Sequence, residues 1–409
     1  MALSLLKSYH KDESASMDLY KALYRSPLSH HLNFYIHQIN ASRTFPAFYY
    51  YTDDMVQCLS LIMQNLRDLS TTTALLPRVA VHSFQRSCLI EEILSSNEIE
   101  GVHSTRKEIN AAIDEQNDIA ASNKIRLWST VNKYLKLQNK EEIPFQNSVD
   151  LRAFYDSFIA DEISRDNPQN LPDGKIFRKS PVDVWSRTKI IHHGIFPEEQ
   201  IINDMDIALA FLHDDHVPSL IRISIFHYLF GYIHPFYDGN GRTSRFITSY
   251  YLSRVLSPLV AFRLSITIKK SIRVYYKLFD DTNHQGNYGD LTPFITGFLW
   301  LIQKSVARVR EILQEKASQL SYLQKELLER LPGLNNTDKK IYTVLLEAYL
   351  FSNDGASLEE ISDAIGQSVK TIRSHIKSYP PESVSVNKVH RAHRFKLSAE
   401  FIQSIQKHK

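Results

Sequence analysis

Near the middle of the chain runs the sequence His234-Pro-Phe-Tyr-Asp-Gly-Asn-Gly-Arg-Thr-Ser-Arg245. Glycine is scarce in this protein, with 12 among 409 residues against roughly 7% in an average chain. Three of these glycines nevertheless fall between positions 231 and 241. Large side chains recur at helical spacing on both sides, over residues 221–231 and 246–256, which predicts two helices. We therefore predict a loop that enters a helix N-terminus, where N–H groups and the helix dipole favour an anion.

Two arginines strengthen the prediction of an anion site. Arg242 and Arg245 are three residues apart and share one face of the predicted helix, so they can hold a phosphate group in a bidentate fork. His234 adds a titratable base, and Asp238 adds a carboxylate that suits a hard metal ion. Each residue alone is more often structural, since an Asp-Gly pair is usually only a turn. No packing requirement explains their combination.

The segment resembles the signature of the Fic family, H-P-F-x-[DE]-G-N-G-R-x-x-R, and matches it at every fixed position. The resemblance implies a mainly α-helical Fic fold with a β-hairpin flap. It also implies an enzyme that transfers AMP from ATP to a tyrosine, threonine or serine hydroxyl of a protein and releases pyrophosphate. In such an enzyme His234 is the general base, and Asp238 binds Mg²⁺ that carries the ATP phosphates. The implied ATP- and phosphate-binding residues are Pro235, Phe236, Asp238, Gly239, Asn240, Gly241, Arg242 and Arg245.

The resemblance leaves alternative activities open. Relatives that act as kinases tend to replace the first loop glycine, so the intact Gly239 and Gly241 favour AMP transfer. On the same fold, an alternative is removal of AMP from a modified protein, with Glu100 positioning a water molecule. A third alternative is a transcription regulator in which the Fic domain senses nucleotide.

An upstream segment, Ser96-Asn-Glu-Ile-Glu100-Gly101, resembles the Fic inhibitory pattern [ST]-x-x-x-E-[GN]. The resemblance implies an inhibitory helix whose Glu100 pairs with Arg245. A carboxylate in that place occupies the guanidinium group and repels the γ-phosphate of ATP, so the nucleotide binds in a pose that misaligns the α-phosphorus. Glu98 lies two residues away and is expected to face elsewhere. The alternative is an ordinary acidic surface helix.

Two further stretches resemble parts of the family. Residues 176–191 alternate β-branched and polar side chains, which predicts a hairpin. The resemblance implies that this flap, with Thr188, Lys189 and Ile190 near its tip, pins the target segment by strand addition. Tyr275, Tyr276 and Asn283 match a family pattern, Y-Y-x6-N, that lines the adenine pocket, where the rings can stack and the amide can bind the adenine edge. A plain surface hairpin and a core tyrosine pair are the alternatives.

The C-terminal segment resembles a winged helix-turn-helix domain. Residues 337–350 predict a helix with Thr337 as its N-cap, Ser357 opens a capping box, and residues 366–376 supply a turn and a second helix. Residues 384–389 and 394–397 predict the two strands of a wing. The predicted partner is DNA or protein. The basic residues that favour DNA are Lys370, Arg373, Lys377, Lys388, Arg391, Arg394 and Lys396.

The sequence predicts three territories. Residues 1–75 form an accessory helical region, in which the aromatic stretch 45–51 is interpreted as a loop or docking surface. Residues 76–316 form the Fic domain, with the inhibitory helix at about 90–104. Residues 317–409 hold the end of a long helix, predicted over 301–331, and the winged helix at about 336–400. The resemblance to the Fic family covers roughly residues 90 to 300.

Composition limits the partners and the compartment. The net charge of +3 is too small to indicate nucleic acid or membrane binding by itself. Two cysteines are too few for a disulfide framework, so a cytoplasmic location is expected. No apolar run reaches the length of a membrane span, and no membrane partner is expected. The expected partners are ATP, a Mg²⁺ cofactor and an unidentified target protein; auto-modification, a homodimer and DNA binding through residues 336–400 stay open.

Overall fold

The protein is mainly α-helical, as predicted. The computed structural model describes residues 4–37, 43–116, 125–186, 189–389 and 392–406, is 68% helical and has small antiparallel sheets. The helices are α1 (Leu5–Tyr9), α2 (Glu13–Tyr24), α3 (Asp53–Leu75), α4 (Arg78–Ile99), α5 (Arg106–Asp114), α6 (Trp128–Gln138), α7 (Ser148–Tyr155), α8 (Asp161–Asp166), α9 (Glu198–Leu212), α10 (Ser219–Ile233), α11 (Asn240–Val255), α12 (Pro258–Ala261), α13 (Leu264–Lys270), α14 (Ile272–Thr282), α15 (Thr292–Arg330), α16 (Asn336–Phe351), α17 (Leu358–Ile365), α18 (Val369–Ser378) and α19 (Ala399–Gln406). Among the described residues, none of these helices combines the length and apolar character needed to cross a membrane.

The strands form three small sheets. They are β1 (Ser29–His37), β2 (Thr44–Tyr50), β3 (Asp183–Ser186), β4 (Lys189–His193), β5 (Ala356–Ser357), β6 (Val384–Val389) and β7 (Ala392–Leu397). β1 pairs with β2 and β3 with β4, both antiparallel, and the third sheet has the order β5-β7-β6.

The chain divides into two compact units, each assembled from separate segments. Unit 1 consists of Met1–Gln64, Ser95–His103 and Ser129–Ser305, and unit 2 of Asn65–Leu94, Ser104–Trp128 and Val306–Lys409. The three predicted territories follow sequence order, whereas each unit joins segments that are distant in sequence. The territory boundaries therefore stay a prediction.

Helices α10 and α11 pack against each other in unit 1 and carry the glycine-rich segment between them. Nearly every residue of α10 and most residues of α11 are buried. This burial fits the sequence of α10, which is apolar on all its faces. Both predicted helices are present, and each is longer than the apolar spacing indicated. The connecting loop begins at His234, where α10 ends, and finishes at Gly239, where α11 begins.

The aromatic stretch 45–51 is a strand rather than the predicted loop or docking surface. β2 covers most of it and pairs with β1, in the register Ile36 opposite Phe45. Ala47, Phe48 and Tyr49 are fully buried, and Phe48 packs in an aromatic cluster with α2. This stretch is a strand because it pairs with β1. The sequence analysis did not predict β1.

Unit 2 contains the elements predicted for the C-terminal segment in the predicted order. Ser357 forms the predicted capping box with Glu360 at the start of α17. The N-cap of α16 is Asn335, whose side chain accepts a hydrogen bond from the Asp338 amide at 2.9 Å, so the prediction of Thr337 as the cap is wrong. Asparagine is as good a cap as threonine, and it starts the helix two residues earlier. The long helix α15 also begins earlier than predicted, at Thr292.

One predicted DNA-contacting residue of the wing is buried in unit 2. The Arg394 side chain is 4% exposed and pairs with Glu360 at 3.2 Å and with Asp114 at 3.4 Å. Asp114 also pairs with Arg86 at 2.8 Å, and Lys396 donates a hydrogen bond to the Asn353 carbonyl at 2.7 Å. Arg394 therefore stabilises unit 2 and is not available to DNA, while Arg391 lies outside the described residues.

Candidate active site

His234 ends helix α10 in a conformation that few residues adopt. Its φ of 54° and ψ of 62° lie in the left-handed region, and its amide donates to the Phe230 carbonyl at 3.0 Å. A non-glycine residue in this region costs about 1–2 kcal/mol, so the neighbouring structure must hold it there. The left-handed turn directs the chain away from the α10 axis and into the loop.

The electrostatic surroundings keep His234 neutral. Burial, together with the nearby His192 and Arg178, lowers the pKa of the imidazole to about 4, against the opposing effects of the Gly231 carbonyl and Glu100. The ring is therefore unprotonated at neutral pH and can accept a proton, which is the form that a general base requires.

The loop after His234 is fixed by side chains rather than by regular backbone pairing. The Asn240 amide accepts from the Phe236 N–H at 3.0 Å and donates to the Phe236 carbonyl at 2.8 Å. The Phe236 ring stacks on Tyr155 with ring centroids 3.7 Å apart, and the Tyr155 hydroxyl donates to the Asp238 carbonyl at 3.1 Å. The Asn240 and Phe236 side chains therefore hold the loop in shape, so a direct contact of either with phosphate is not required.

The start of α11 offers an anion site. Gly239 is the N-cap in the left-handed region, with φ of 78°, a conformation that glycine adopts without strain. The first N–H groups of any α-helix have no partner within the helix. In α11 these groups directly follow the short loop that begins at His234. The Asp238 carboxylate accepts from the Gly239 amide at 2.5 Å and is 42% exposed, so it can reach a ligand beyond the loop.

Arg242 is buried beside an acid that the sequence analysis did not identify. Its guanidinium group is 5% exposed and lies 3.4 Å from Glu162 and 3.6 Å from Asp238. Glu162 on α8 also accepts from the Thr130 hydroxyl at 2.6 Å. Glu162 and Asp238 thus orient Arg242 from two sides, and no pattern around Glu162 distinguishes it in sequence from other helical acids.

Arg245 makes the predicted contact with the upstream segment. Its Nη1 donates to the Glu100 carboxylate at 2.8 Å, and its Nε and Nη2 donate to the Ser96 hydroxyl at 3.1 Å and carbonyl at 2.7 Å. The arginine is 1% exposed and the glutamate 30% exposed. Although burial opposes it, Glu100 raises the pKa of Arg245. Three donor groups of one arginine are therefore committed to the end of helix α4.

Two glycines allow Glu100 to reach this position. Gly101, two residues after the end of α4, adopts a left-handed φ of 72°, which turns the chain immediately after Glu100. A Cβ atom on Gly241 would collide with the Glu100 carboxylate. Glu98, as expected, faces elsewhere and pairs with Lys269 at 2.5 Å.

The three residues predicted for an adenine pocket have different surroundings. Tyr276 is 46% exposed. Tyr275 is buried, with its hydroxyl 2.8 Å from His227 Nε2. The Asn283 amide oxygen accepts from the Tyr228 hydroxyl at 2.7 Å, which orients this side chain.

The predicted hairpin is present, but it starts later than predicted. Residues 176–182 are not in a strand, whereas β3 and β4 pair from Asp183 opposite His193 to Ser186 opposite Lys189. Ile190 is half-buried. Thr188 lies outside the described residues, and for Lys189 the structure describes the backbone alone. In the segment before the hairpin, the amides of Ile176 and Phe177 donate to Glu198 at 2.7 and 2.9 Å.

If the site binds ATP and a target protein as the resemblance implies, the exposed ring of Tyr276 and Ile190 of the β3–β4 hairpin should affect different steps. We expect Tyr276→Ala to weaken ATP binding about 5- to 150-fold, because stacking of a base on an aromatic ring contributes about 1–3 kcal/mol. Ile190→Glu should impair modification of a target protein and leave the dissociation constant for ATP close to wild type. Titration calorimetry with ATP measures the first effect and target labelling the second; parallel losses in both assays would contradict this separation.

Comparison with known proteins finds similarity over the segment that holds this site. Residues 147–252 match the model of the Fic/DOC family. Protein adenylyltransferase fic-1 of Caenorhabditis elegans is 28% identical over 142 residues, which cover 33% of this chain and 26% of the relative. Protein adenylyltransferase Fic of Nematostella vectensis is 41% identical over 69 residues, which cover 17% of this chain and 14% of the relative. The chain therefore spans 14% to 26% of the length of these two relatives.

The fold has a solved counterpart. The crystal structure of a Fic family protein from Desulfovibrio desulfuricans G20 aligns with a TM-score of 0.51 at 20% identity, over 86% of this chain and 98% of that chain. At this level of identity the similarity shows the fold.

Proposed function

Because residues 147–252 match the model of the Fic/DOC family, we propose that this protein is an adenylyltransferase that transfers AMP from ATP to a hydroxyl side chain of a target protein. The observation that carries the proposal is the placement of a neutral histidine, His234, at the end of α10, one short loop before the N-terminus of α11. This arrangement puts a base next to a binding site for phosphate groups.

The reaction follows from the groups in this loop. A target hydroxyl of tyrosine, threonine or serine gives its proton to the His234 ring as its oxygen forms a bond to the α-phosphorus of ATP. The bond from the α-phosphorus to the bridging oxygen breaks, and pyrophosphate leaves with the negative charge. The N–H groups at the start of α11 and the guanidinium group of Arg242 stabilise that charge.

The residues at the loop fit a Mg²⁺ ion that arrives with ATP. Asp238 offers a partly exposed carboxylate, and Mg²⁺ in phosphate-transfer sites usually takes one or two carboxylates together with phosphate oxygens and water. Within the described residues no cluster of three or more histidine, cysteine or acidic side chains could hold a metal by itself, which fits a site completed by the nucleotide. When bound, the ion would neutralise phosphate charge.

We propose that Glu100 restrains the enzyme. Its carboxylate and Ser96 occupy the Arg245 guanidinium group, which would otherwise be able to hold the γ-phosphate. A carboxylate at this place also repels a triphosphate. ATP would then lack one anchor, and its α-phosphorus would not be aligned for in-line attack.

Position-specific labelling of ATP tests the proposed chemistry. The Glu100→Gly protein, incubated with lysate protein and ATP labelled at the α-phosphorus, should yield labelled protein. ATP labelled at the γ-phosphorus should yield none. Label from the γ-position would indicate a kinase instead, and loss of label from pre-modified protein without new labelling would favour AMP removal.

The partner of the C-terminal elements is proposed separately from the chemistry. On α18 the side chains of Lys370, Arg373 and Lys377 are exposed, and their spacing puts them on adjacent parts of one helix surface. We propose that this surface selects a partner, which is either duplex DNA or a protein. Both cysteines are buried thiols, in keeping with the cytoplasmic location that we propose.

If DNA is the partner, binding should depend steeply on salt, because each phosphate contact releases counterions. We expect Arg373→Ala to weaken binding and to reduce the slope of log affinity against log salt by about one. Lys325→Ala is the matched control, since Lys325 is an exposed cation of unit 2 on α15. Electrophoretic shifts at two salt concentrations measure the slope, and the absence of any shift at low salt would leave protein docking as the role of this surface.

A further inference from the structure

Arg178 is a buried arginine whose described hydrogen bonds all go to backbone carbonyls. It is 0% exposed. Its Nε donates to the His234 carbonyl at 2.9 Å, its Nη1 to the Ser180 carbonyl at 2.7 Å and its Nη2 to the Ile195 carbonyl at 2.7 Å. Burying a guanidinium group without a carboxylate is costly, and burial lowers the pKa of Arg178 to about 10.

The three carbonyls belong to the segments that meet around the proposed base. Ser180 precedes the flap strand β3, Ile195 follows β4, and His234 ends α10. The last carbonyls of a helix have no partner within it and carry the negative end of its dipole, so a cation is favoured there. Arg178 thus joins both ends of the flap to the residue in the left-handed conformation.

The flap is attached to the end of α10 by two further contacts. The Ile195 amide donates to the Ile233 carbonyl at 3.1 Å, and the ring of His192 lies 2.5 Å from the Tyr232 carbonyl through Nε2. Gly194 lets the return strand pass close to Arg178, because a Cβ there would lie 2.6 Å from Arg178 Nη2 and 3.2 Å from His234 Cβ.

The backbone next to Arg178 is itself anchored. Glu198 at the start of α9 accepts hydrogen bonds from the amides of Ile176 and Phe177, and Arg152 on α7 donates to the Ile176 carbonyl at 2.7 Å. A side chain held this way is preorganised, which is what a support for a reacting group requires.

We propose that Arg178 is the positioning residue of the active site, which fixes His234 in its left-handed conformation and couples it to the flap. The inference rests on the proposed function, in which His234 is the base and the flap holds the target. Arg178 acts through His234 and through the flap and does not touch the reacting atoms. Lysine cannot replace it, because only a planar guanidinium group presents donors in the directions of three carbonyls.

The test uses the full-length protein with Glu100→Gly as the parent, so that transfer is measurable. Arg178→Gln should lower kcat about 10²-fold, the loss expected when a reacting group is misplaced by about 1 Å, with the dissociation constant for ATP close to the parent value. Arg254→Gln is the matched control and should match the parent, since Arg254 also donates to a backbone carbonyl, that of Glu141, but is exposed.

A pH profile separates positioning from a general structural role. Three charged or titratable side chains act on the pKa of His234 in the wild type: His192, Arg178 and Glu100. All variants in this test carry Glu100→Gly, so Glu100 does not contribute to the comparison. Arg178 lowers the pKa of His234, so its removal in Arg178→Gln should raise that pKa and move the acid limb of kcat to higher pH. Arg178→Lys keeps the charge, so it should lose kcat without moving the limb.

Two further measurements test the role of Arg178, one with a second variant and one without turnover. If Arg178→Gln does not fold, Gly194→Ala displaces the guanidinium group without removing it and should lower kcat in the same way. NMR titration of the His234 ring does not depend on turnover, and its pKa should rise in Arg178→Gln but not in Arg254→Gln. An inactive Glu100→Gly parent would refute the proposed function alone. Unchanged kcat in Gly194→Ala or an unmoved His234 titration in Arg178→Gln would overturn the role of Arg178, as would a kcat loss matched by an equal loss of ATP binding.

Discussion

Replacing His234 with alanine should lower AMP transfer by about 10²–10⁴-fold, the usual contribution of a general base, and leave ATP binding nearly unchanged. The reason is positional as well as chemical. His234 is neutral, because burial, His192 and Arg178 depress its pKa to about 4, and it directly precedes the loop that would hold the phosphates. The variant is compared with its parent in the Glu100→Gly background by incorporation of α-labelled ATP, and ATP binding is measured by calorimetry.

His234→Asn is the control that separates the base from the backbone conformation. Asparagine tolerates the left-handed region far better than alanine does, yet it cannot accept a proton near neutral pH. Both variants should therefore lose transfer to the same extent. If His234→Asn kept most of the activity, His234 would be needed for the turn and not as the base.

Removing the Glu100 carboxylate should produce the largest gain. We expect Glu100→Gly to raise AMP transfer by about 10- to 150-fold, the equivalent of about 1.5–3 kcal/mol for one charged hydrogen bond. Arg245 would then be able to hold the γ-phosphate, and the α-phosphorus could align for attack. Addition of Arg245→Ala should abolish the gain, because the phosphate loses the same anchor that Glu100 had occupied.

Glu98→Gly is the matched control for this experiment. Glu98 lies at the same end of α4 but pairs with the exposed Lys269, so its removal should leave transfer at the wild-type level. A second readout is thermal unfolding. ATP should raise the melting temperature of Glu100→Gly more than that of the wild type, since a bound triphosphate would replace the lost partner of the buried Arg245. Equal labelling by wild type and Glu100→Gly would mean that the Glu100–Arg245 pair is structural.

Local sequence is sufficient for the parts of this protein that depend on near neighbours. The glycines at 239 and 241, the apolar spacing of α10 and α11 and the capping box at Ser357 are properties of a few consecutive residues. Backbone freedom, helical periodicity and capping act over one or two turns of chain, so their outcome is visible in the sequence. The pairing of Glu100 with Arg245 was also predicted, but only through resemblance to a family.

Tertiary structure decided the contacts that join distant segments. Arg178 reaches the carbonyl of His234, Glu162 reaches Arg242, and Arg394, predicted for DNA, is buried against Asp114. The stretch 45–51 became a strand because β1 lies beside it. In each case the residue type is compatible with several partners. The packing of distant segments against each other decides which partner lies within reach. Burial then fixed the choice, because a charged or polar group removed from water is stable only where the fold supplies its hydrogen bonds.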